Sequence, residues 1–329
     1  MHPVDITPSH TMRTFFSRPD RVNDKLYAIC PVFNPVRFRS RWKLFQDFKK
    51  RIIEAGAIPV VIELAFGHRE FSVTDPNDPF DIQVRTSHEL WHKERMVNVA
   101  VQRLPQDWQY VSWIDADFRF ARDDWASETI QQLQHYHVVQ MYSRLQDLDQ
   151  DCQPIGRIHQ SFVDGYLHGA ITQSGGYDSG YGSRWPGTPG GAHACTRWAW
   201  DSLGGLIDIG ILGSGDSYMA LGLIGEIERA LKPNFHPRYK ETLRIWQDRA
   251  ERHIQRNVGV VEGLALHFWH GPKGKRGYGT RNEILIQHQF NPDFHLKPDW
   301  QGLYQLEASP QMRDDIRRYF RARREDDPA

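Results

Sequence analysis

Two aspartates, one residue apart, follow an apolar segment in the first half of the chain. The segment 110–114 leads directly into Asp115 and Asp117. Successive residues of a strand point to opposite faces, so residues with this spacing would project from the same face. Two carboxylates at the carboxyl end of a buried strand suit a hard divalent cation. The pattern predicts a cation site able to hold a diphosphate, and its alternative is a pair of ordinary turn or cap residues.

A second group of candidate metal ligands lies much later in the chain. His267 and His270 come at the end of the apolar segment 260–269, which predicts a strand. A single histidine is usually structural, but two ligand groups that each follow a strand support one another. Imidazole nitrogens beside carboxylates favour Mn²⁺ over Mg²⁺. We therefore expect a site for Mn²⁺, or else Mg²⁺.

A candidate general base lies at the start of a predicted helix. Asp216 follows Gly213-Ser214-Gly215 and precedes an apolar segment that runs from Tyr218 to Ile224. The glycines would let a substrate approach the main chain closely. Asp216 can accept a proton from an attacking hydroxyl group. The alternative interpretation is a helix N-cap, which needs no further function.

Composition indicates an ordinary globular protein and limits the classes of function. The chain has 329 residues, with 41 Lys and Arg balanced by 41 Asp and Glu, so a uniformly basic nucleic-acid binder is excluded. Its three cysteines are widely spaced and predict reduced thiols. The sequence begins without a signal pattern and has no apolar run long enough to span a membrane. We expect a cytoplasmic protein.

The elements that must position these residues follow a strand–helix–strand order. The apolar segment 26–33 predicts a buried strand, residues 39–56 an amphipathic helix, and residues 58–64 a second strand. A helix over 88–103 precedes the strand that leads into Asp115. The order predicts an α/β fold with a mixed, mostly parallel sheet flanked by helices. No Gly-x-Gly-x-x-Gly follows the first strand, which excludes a dinucleotide-binding fold.

Three segments lie outside this pattern. Residues 1–25 are polar and predict an amino-terminal arm, whereas residues 291–329 predict a helical tail. Residues 151–192 are rich in glycine and aromatic residues and predict a long loop, which in a compact domain is usually functional.

Residues 190–223, from Gly-Gly-Ala-His-Ala-Cys to Gly-Ser-Gly-Asp-Ser-Tyr-Met-Ala-Leu-Gly-Leu, resemble the acceptor side of GT-A glycosyltransferases. The resemblance is to the β-1,4-galactosyltransferase type, which also has an Asp-x-Asp motif and a Met-x-x-His pair of metal ligands. Pro31-Val32-Phe33-Asn34 is similar to the start of nucleotide-sugar binding in the wider superfamily. The resemblance implies a GT-A fold over 26–290, with a donor half of about 26–145 and an acceptor half of about 150–290.

The same resemblance assigns roles to individual residues. It implies that Asp117, His267 and His270 hold the metal, with His267 in place of the family's methionine, and that Asp216 is the base. Asp115 would lie nearer the ribose or behind the metal ligands. The chain departs from the family at Gly215, where the family has glutamate, and at Leu212, where it has the tryptophan that stacks on the acceptor. The residues expected to contact the donor are Pro31, Asn34, Glu63, Lys93, Asp115, Gly191, Arg276, Tyr278 and Arg281.

These features together predict a metal-dependent, inverting glycosyltransferase that moves a hexose from a nucleotide sugar, a UDP-sugar above others, to an acceptor hydroxyl. The basic segment 271–281 would close over the donor phosphates, or else is a solvated loop. Its sequence and that of 267–270 also resemble phage and bacterial GT-A-like glycosyltransferases, which implies hydroxymethylated pyrimidine in DNA as one candidate acceptor, in the cytoplasm of a phage host.

Basic residues in 37–43, 271–281 and 313–324 would suit such a polyanion, and the aromatic segment 166–185 could receive a flipped base. A cell-surface glycan or lipid-linked sugar is the alternative acceptor. A carbohydrate-binding protein without activity and a nucleotide-sugar hydrolase are the alternative functions.

Overall fold

A computed structural model describes residues 24–169, 187–307 and 309–328. Nearly all of the predicted amino-terminal arm, and most of the aromatic segment 166–185, lie outside the described residues.

The described strands form three sheets. In chain order they are β1 Leu26–Phe33, β2 Ile58–Phe66, β3 Asp81–Thr86, β4 Tyr110–Ile114, β5 Phe118–Phe120, β6 Val138–Gln140, β7 Arg144–Leu148, β8 Pro154–Gln160, β9 Ala192–Thr196, β10 Val258–Val260, β11 Leu264–His267, β12 Leu296–Pro298 and β13 Tyr304–Leu306.

The described helices are mostly short. In chain order they are α1 Arg39–Phe45, α2 Phe48–Glu54, α3 Lys93–Val101, α4 Trp125–Gln132, α5 Phe162–Leu167, α6 Arg197–Leu203, α7 Gly215–Leu223, α8 Pro237–Arg249, α9 Glu283–Gln287, α10 Pro292–His295 and α11 Pro310–Ala322. Single turns of 3₁₀-helix cover Ile227–Ala230 and Lys273–Arg276, and a π-turn covers Ala250–Ile254.

The main sheet confirms the predicted α/β fold. Its seven strands have the order β10-β6-β9-β4-β1-β2-β3. Only β9 runs against the others, since it pairs antiparallel with both β4 and β6. The strands that share a direction end at one edge of the sheet. The carboxyl ends of β1, β2 and β4 therefore meet where ligands bind in open α/β sheets.

The main sheet separates two hydrophobic cores. Alternate residues of β1 enter each core: Tyr27 and Ile29 pack on one side, and Ala28 and Cys30 on the other. Burial on both faces explains why this strand has a continuous apolar sequence rather than an alternating one. Helix α11 packs into the first core, so part of the predicted tail belongs to the same interior.

A second sheet, β5-β11-β7-β8, lies beside the first. It pairs β11, which carries His267, antiparallel with β5, which follows Asp117. This pairing brings the two predicted ligand groups together although 150 positions separate Asp117 from His267.

Two local predictions were wrong. The predicted helix 39–56 is divided into α1 and α2, because the chain turns at residues 46–47. The predicted long loop 151–192 contains β8 and α5. Glycine-rich sequence suggested a loop there, but β8 is paired with β7, so the tertiary pairing overrode the local preference.

Among the described residues, no helix has both the length and the apolar character needed to cross a membrane.

Candidate functional site

The two predicted carboxylates lie in a turn after β4, not on the strand itself. The main-chain N–H of Asp115 donates to the carbonyl of Gly191 at 2.9 Å, and that of Phe118 donates to the carbonyl of Asp115 at 3.0 Å. The strand alternation expected to align Asp115 with Asp117 therefore does not apply. The two side chains have different partners, a lysine for Asp115 and two histidines for Asp117.

Asp117, His267 and His270 form a compact group of possible metal ligands, with one ligand atom from each residue within 4.8 Å of the others. Asp117 Oδ2 lies 3.0 Å from His270 Nε2 and 3.7 Å from His267 Nε2. The two Nε2 atoms are 3.1 Å apart. The structure thus brings together the three residues that the sequence resemblance assigned to the metal.

The chemistry of this group fits a divalent cation. Asp117 Oδ1 is buried and has no hydrogen-bond partner among the described residues. A buried acceptor without a partner is costly unless a ligand satisfies it. His267 Nδ1 is 2.7 Å from Asp147 Oδ1, which places the proton on Nδ1 and leaves Nε2 free to bind a metal. Two imidazoles and a carboxylate are a ligand set that a divalent transition-metal ion can take.

Asp147 was missed in the sequence. It lies on β7 directly opposite His267 on the neighbouring strand. Its other oxygen lies 3.1 Å from His159 Nε2 and accepts from Lys273 Nζ at 2.5 Å. Nothing in the local sequence marks Asp147, because its role depends on the pairing of two strands that are far apart in the chain.

Burial and hydrogen bonding shift the pKa values of the two histidines in opposite directions. Burial and the positive charge of Arg276 lower the pKa of His270 to about 4, so it is neutral at pH 7. Burial also lowers the pKa of His267, but its hydrogen bonds to Asp117 and Asp147 outweigh burial and leave that pKa raised. Although burial raises the pKa of Asp117, the two histidines hold it well below its usual value. Asp117 is therefore ionised.

Lys93 and Asp115 form a partly buried ion pair beside the possible metal ligands, with the Asp115 side chain 30% exposed. Lys93 Nζ is 2.6 Å from Asp115 Oδ1 and 2.7 Å from Oδ2. Lys93 is the first residue of α3. Burial raises the pKa of Asp115, and Lys93 opposes that rise. Lys93 and Asp115, both predicted donor contacts, are thus paired with each other.

Asp216 lies in the first turn of α7 and is not the N-cap, which is Ser214. Its Oδ1 accepts from the N–H of Ser217 at 2.8 Å. A methyl group placed on Gly190 would lie 2.4 Å from Asp216 Oδ2. A methyl group on Gly191, where φ is +96°, would lie 2.0 Å from the ring of Phe118. Gly190 therefore leaves room for Asp216, and Gly191 leaves room for Phe118 in the turn after β4; both glycines directly precede β9.

Glu94 is a further carboxyl that the sequence did not indicate. It is 3% exposed, and a methyl group on Gly215 would lie 2.5 Å from its Cδ. Burial raises its pKa to about 8, against the opposing effect of Lys93 and with that of Asp216. Glu94 is therefore protonated at pH 7 and fills the space beside Gly215, the position where the family has its glutamate.

A polar cleft of about 350 Å³ lies at the ends of β1 and β2. Asn34 and Glu63 line it, but their side chains are engaged. The Asn34 Nδ2 donates to the carbonyl of Phe38 at 2.7 Å, and the Phe38 N–H donates to Asn34 Oδ1 at 2.9 Å. Glu63 accepts from the N–H groups of residues 72–74. Pro31 lies in β1 beyond the part that pairs with β4.

The basic segment after His270 is partly buried. Arg276 is 3% exposed; its Nη1 donates to Tyr278 Oη at 3.2 Å and its Nη2 to the carbonyl of Gly271 at 3.2 Å. The guanidinium of Arg281 lies 5.1 Å from the ring centre of Tyr278. The alternative of a fully solvated loop does not describe these two arginines.

The end of the chain contacts the same region. Glu325 is buried and accepts from Arg41 Nε at 2.5 Å and from Arg323 Nε at 2.6 Å. A methyl group on Gly271 would lie 2.6 Å from the Cα of Glu325. We name residues 323–327 the terminal strap, since they join α1 to the segment that carries His270.

Sequence comparisons found no match: no family model fits the chain, and no curated protein is similar to it. Among solved structures, the chain is similar to the catalytic domain of Drosophila β1,4-galactosyltransferase 7 in complex with xylobiose. The identity is 10%, the match covers 89% of this chain and 98% of that one, and the TM-score is 0.38.

Two further structures are similar at the same level of identity. A mutant of the same Drosophila enzyme, in complex with manganese, UDP-Gal and xylobiose, matches with 10% identity over 63% of each chain and a TM-score of 0.33. A putative nucleotide-diphospho-sugar transferase from Desulfovibrio desulfuricans matches with 10% identity over 81% of this chain and 98% of that one, with a TM-score of 0.31. These proteins are of the GT-A kind that the sequence motifs resemble.

Proposed function

We propose that the protein is a metal-dependent glycosyltransferase that uses a nucleotide-sugar donor. One observation carries this proposal. Three groups lie together at the carboxyl ends of β1 and β4: the three possible metal ligands, the Lys93–Asp115 ion pair, and the Asp216 carboxylate at the start of α7. The orphaned Asp117 Oδ1 supports a cation in that position. Such a cation would neutralise the charge that develops on a diphosphate leaving group.

The residues around the ligands support a donor site. Arg276 lies beside His270 and is buried without an acidic partner among the described residues, so it supplies an uncompensated charge for a phosphate. The cleft beside Asn34 has the volume of a small-molecule site and is the proposed place for the nucleoside. We propose a UDP-sugar as donor and a hexose as the transferred group.

Asp216 is the proposed base. Its Oδ2 has no hydrogen-bond partner among the described residues, whereas Oδ1 is held by Ser217 N–H, which orients the carboxylate. A single displacement, in which Asp216 removes the acceptor proton as the anomeric carbon is attacked, would invert that carbon.

The DNA acceptor stays a prediction with less support than the donor site. The arginines of α11 that were expected to contact phosphates are largely paired within the molecule. Arg317 and Arg321 contact Glu89, and Arg318 contacts Asp315. A cell-surface glycan or lipid-linked sugar is therefore supported as acceptor at least as well as DNA.

The experiment is a thermal-shift assay with Mn²⁺ and a panel of UDP-, GDP- and CMP-sugars. The proposal expects stabilisation that requires both metal and one nucleotide class, because a ligand that binds only the folded state raises the melting temperature. The variant Asp117→Ala should lose this shift, whereas the exposed control Asp123→Ala should keep it. No shift with any donor would favour the carbohydrate-binding alternative.

Product analysis separates the enzymatic alternatives. A transferase yields a glycosylated acceptor, whereas a nucleotide-sugar hydrolase releases free sugar whether or not an acceptor is present. Asp216→Asn should abolish transfer and retain donor binding. Full transfer by this variant would remove Asp216 from the mechanism.

A further inference from the structure

Arg281 is a buried cation without a matching anion. It is 9% exposed and has no ion pair with any acidic residue in the described part of the chain. Its Nη2 donates to Ser214 Oγ at 2.7 Å, and its buried Nε has no partner among the described residues. Buried arginines are normally paired, because an uncompensated charge away from water is costly. A ligand that brings an anion would remove this cost.

Arg281 lies against the beginning of α7. Its Nη1 is 2.8 Å from the position that a methyl group on Gly213 would take. The N-cap Ser214 has φ +78°, which is uncommon for a residue with a side chain, and its hydroxyl does not cap the helix. The first N–H groups of a helix lack intrahelical partners and attract anions. A nine-residue helix and a buried arginine therefore converge on one turn.

This turn is on the acceptor side of the proposed site. Ser214 is two residues before Asp216, so their Cα atoms are within roughly 7.6 Å of each other. Arg276 and Arg281 both contact Tyr278, but their guanidinium groups have different hydrogen-bond partners. Arg276 donates to the carbonyl of Gly271, whereas Arg281 donates to Ser214. We therefore assign the two arginines separate tasks, although the sequence resemblance had placed both at the donor. Arg276 is placed for the donor phosphates, whereas Arg281 is placed for a group that enters beside the base.

The charges around the turn allow an anion to approach. Glu94, which contacts Gly215, is protonated at neutral pH because burial raises its pKa to about 8. Asp216 is the carboxylate nearest along the chain, and it must face the acceptor hydroxyl to act as base. The positive guanidinium on the other side of Ser214 can offset its charge.

We infer that Arg281, Ser214 and the amino end of α7 bind an anionic group, a carboxylate or a phosphate, carried by the acceptor sugar. The assignment of the anion to the acceptor rests on the proposed function, whereas the anion site itself is inferred from the contacts of Arg281 and Ser214 alone. The natural acceptor would then be an acidic or phosphorylated sugar rather than a neutral one.

The first test measures anion binding, using inorganic phosphate as the probe. Phosphate is titrated calorimetrically at constant ionic strength, with and without saturating UDP and Mg²⁺, which occupy the donor site. The full chain should bind phosphate in both conditions. Arg281→Gln should weaken this binding at least about tenfold, because hydrogen bonds to charged groups contribute about 1.5–3 kcal/mol. Arg252→Gln, which removes an exposed arginine, should have no effect.

The outcomes distinguish the two proposals. Equal phosphate binding by the full chain and Arg281→Gln, or an adventitious ion only, overturns the anion site. Failure of UDP, GDP and CMP alike to bind with Mn²⁺, while Arg281-dependent phosphate binding persists, overturns the proposed function and leaves the anion site standing. Arg281→Lys provides a second variant, since it keeps the charge and should retain part of the binding if Arg281→Gln is unstable.

The second test compares acceptors. With the active UDP-sugar, we expect a kcat/KM at least about tenfold higher for a hexuronate or a hexose 6-phosphate than for the neutral hexose. Arg281→Gln should remove this preference while leaving the KM for the donor unchanged. An equal preference in Arg281→Gln and the full chain overturns the assignment of the anion to the acceptor.

Discussion

Asp147 supports the proposed metal site without being one of its three ligands. Asp147 Oδ1 accepts a hydrogen bond from His267 Nδ1, and it thereby leaves Nε2 as the imidazole nitrogen that can bind a metal. Such carboxylate–histidine pairs hold the ring orientation and raise the basicity of the ligand. The charge of Asp147 is thus part of the proposed site, although Asp117 and the two histidines supply the ligand atoms.

We predict that Asp147→Asn weakens Mn²⁺ binding about 10- to 100-fold, the usual effect of losing such a partner. The change preserves size but removes the negative charge that holds the proton on Nδ1, and the neutral amide oxygen that replaces it is a weaker acceptor. Mn²⁺ binding is measured by electron paramagnetic resonance of the free ion. The exposed control Asp123→Asn should bind like the full chain. Unchanged affinity of Asp147→Asn would contradict this role.

Glu94 should make stability depend on pH. The folded protein holds the Glu94 proton up to about pH 8, whereas a free glutamate has a pKa of 4.5. Between these values the folded state binds more protons than the unfolded chain, so the free energy of unfolding falls as pH rises, by up to about 1.4 kcal/mol per unit. Above about pH 8 this contribution changes no further.

The variant Glu94→Gln should therefore lack this decline, because it has no proton to release. Urea unfolding at pH 5.5, 6.5 and 7.5 measures the difference, which should grow with pH. Glu54→Gln, on the surface of α2, should follow the full chain. A difference that is constant over this range would show that the Glu94 carboxyl is already ionised when folded.

At the scale of elements, β9 and the terminal strap position residues that are distant in sequence. The glycines at the start of β9 let Asp216 approach, and the strap holds α1 against the segment that carries His270. Both arrangements are contacts between main chain and side chains, so a single added or removed group should perturb them.

Gly190→Ala should impair turnover more than donor binding. The new methyl group would lie 2.4 Å from Asp216 Oδ2, and the carboxylate would have to move. A displaced base lowers kcat, since transfer depends on its position within a fraction of an ångström. Kinetics should show a lower kcat, with UDP and Mn²⁺ affinity preserved. A large loss of metal affinity instead would indicate that the whole turn has moved.

Glu325→Gln should destabilise the protein by about 3–5 kcal/mol, because it leaves the buried Arg323 and the partly exposed Arg41 without their anion. Arg41 and Arg323 both donate to this carboxylate. Chemical denaturation measures the loss. Glu307→Gln, which breaks an exposed pair with Lys297, is the control and should cost less than about 1 kcal/mol. A loss of similar size in both variants would show that the strap adds little stability.

At the scale of the whole molecule, charge is balanced both in total and locally. The 41 basic and 41 acidic residues cancel, and several arginines of α11 have acidic partners on the surface. Long-range attraction to a polyanion is therefore weak, even though Arg276 and Arg281 provide positive charge inside the site. Anion recognition in this protein is local rather than distributed.

We accordingly expect weak binding of unmodified duplex DNA at physiological salt, with a Kd no tighter than about 10⁻⁴ M, the weak end of the roughly 10⁻⁴–10⁻⁶ M range of non-specific binding. Fluorescence anisotropy with a labelled duplex, repeated with hydroxymethylated DNA, measures this. Tight binding that falls steeply with added salt would contradict the expectation and favour the DNA acceptor.

The sequence by itself determined the elements and the chemistry that they could carry. Strand β1 was located to the residue, because a run of apolar residues on both faces has few alternatives to a buried strand. Asp117, His267, His270 and Asp216 were indicated by residue type and by their place after strands and before a helix. These features depend only on residues close together in the chain, so they can be recognised without knowledge of the fold.

Only the tertiary structure decided which groups act together. The pairing of β7 with β11 placed Asp147 opposite His267, and the packing of α3 against the α7 turn placed Glu94 beside Gly215. It also placed Asp115 and Asp117 in a turn, where they have different partners, instead of on one face of a strand. The physical reason is that partners in a folded chain are chosen by sheet register and by packing between distant segments. A one-residue change in either reassigns every contact, and no local pattern records that choice.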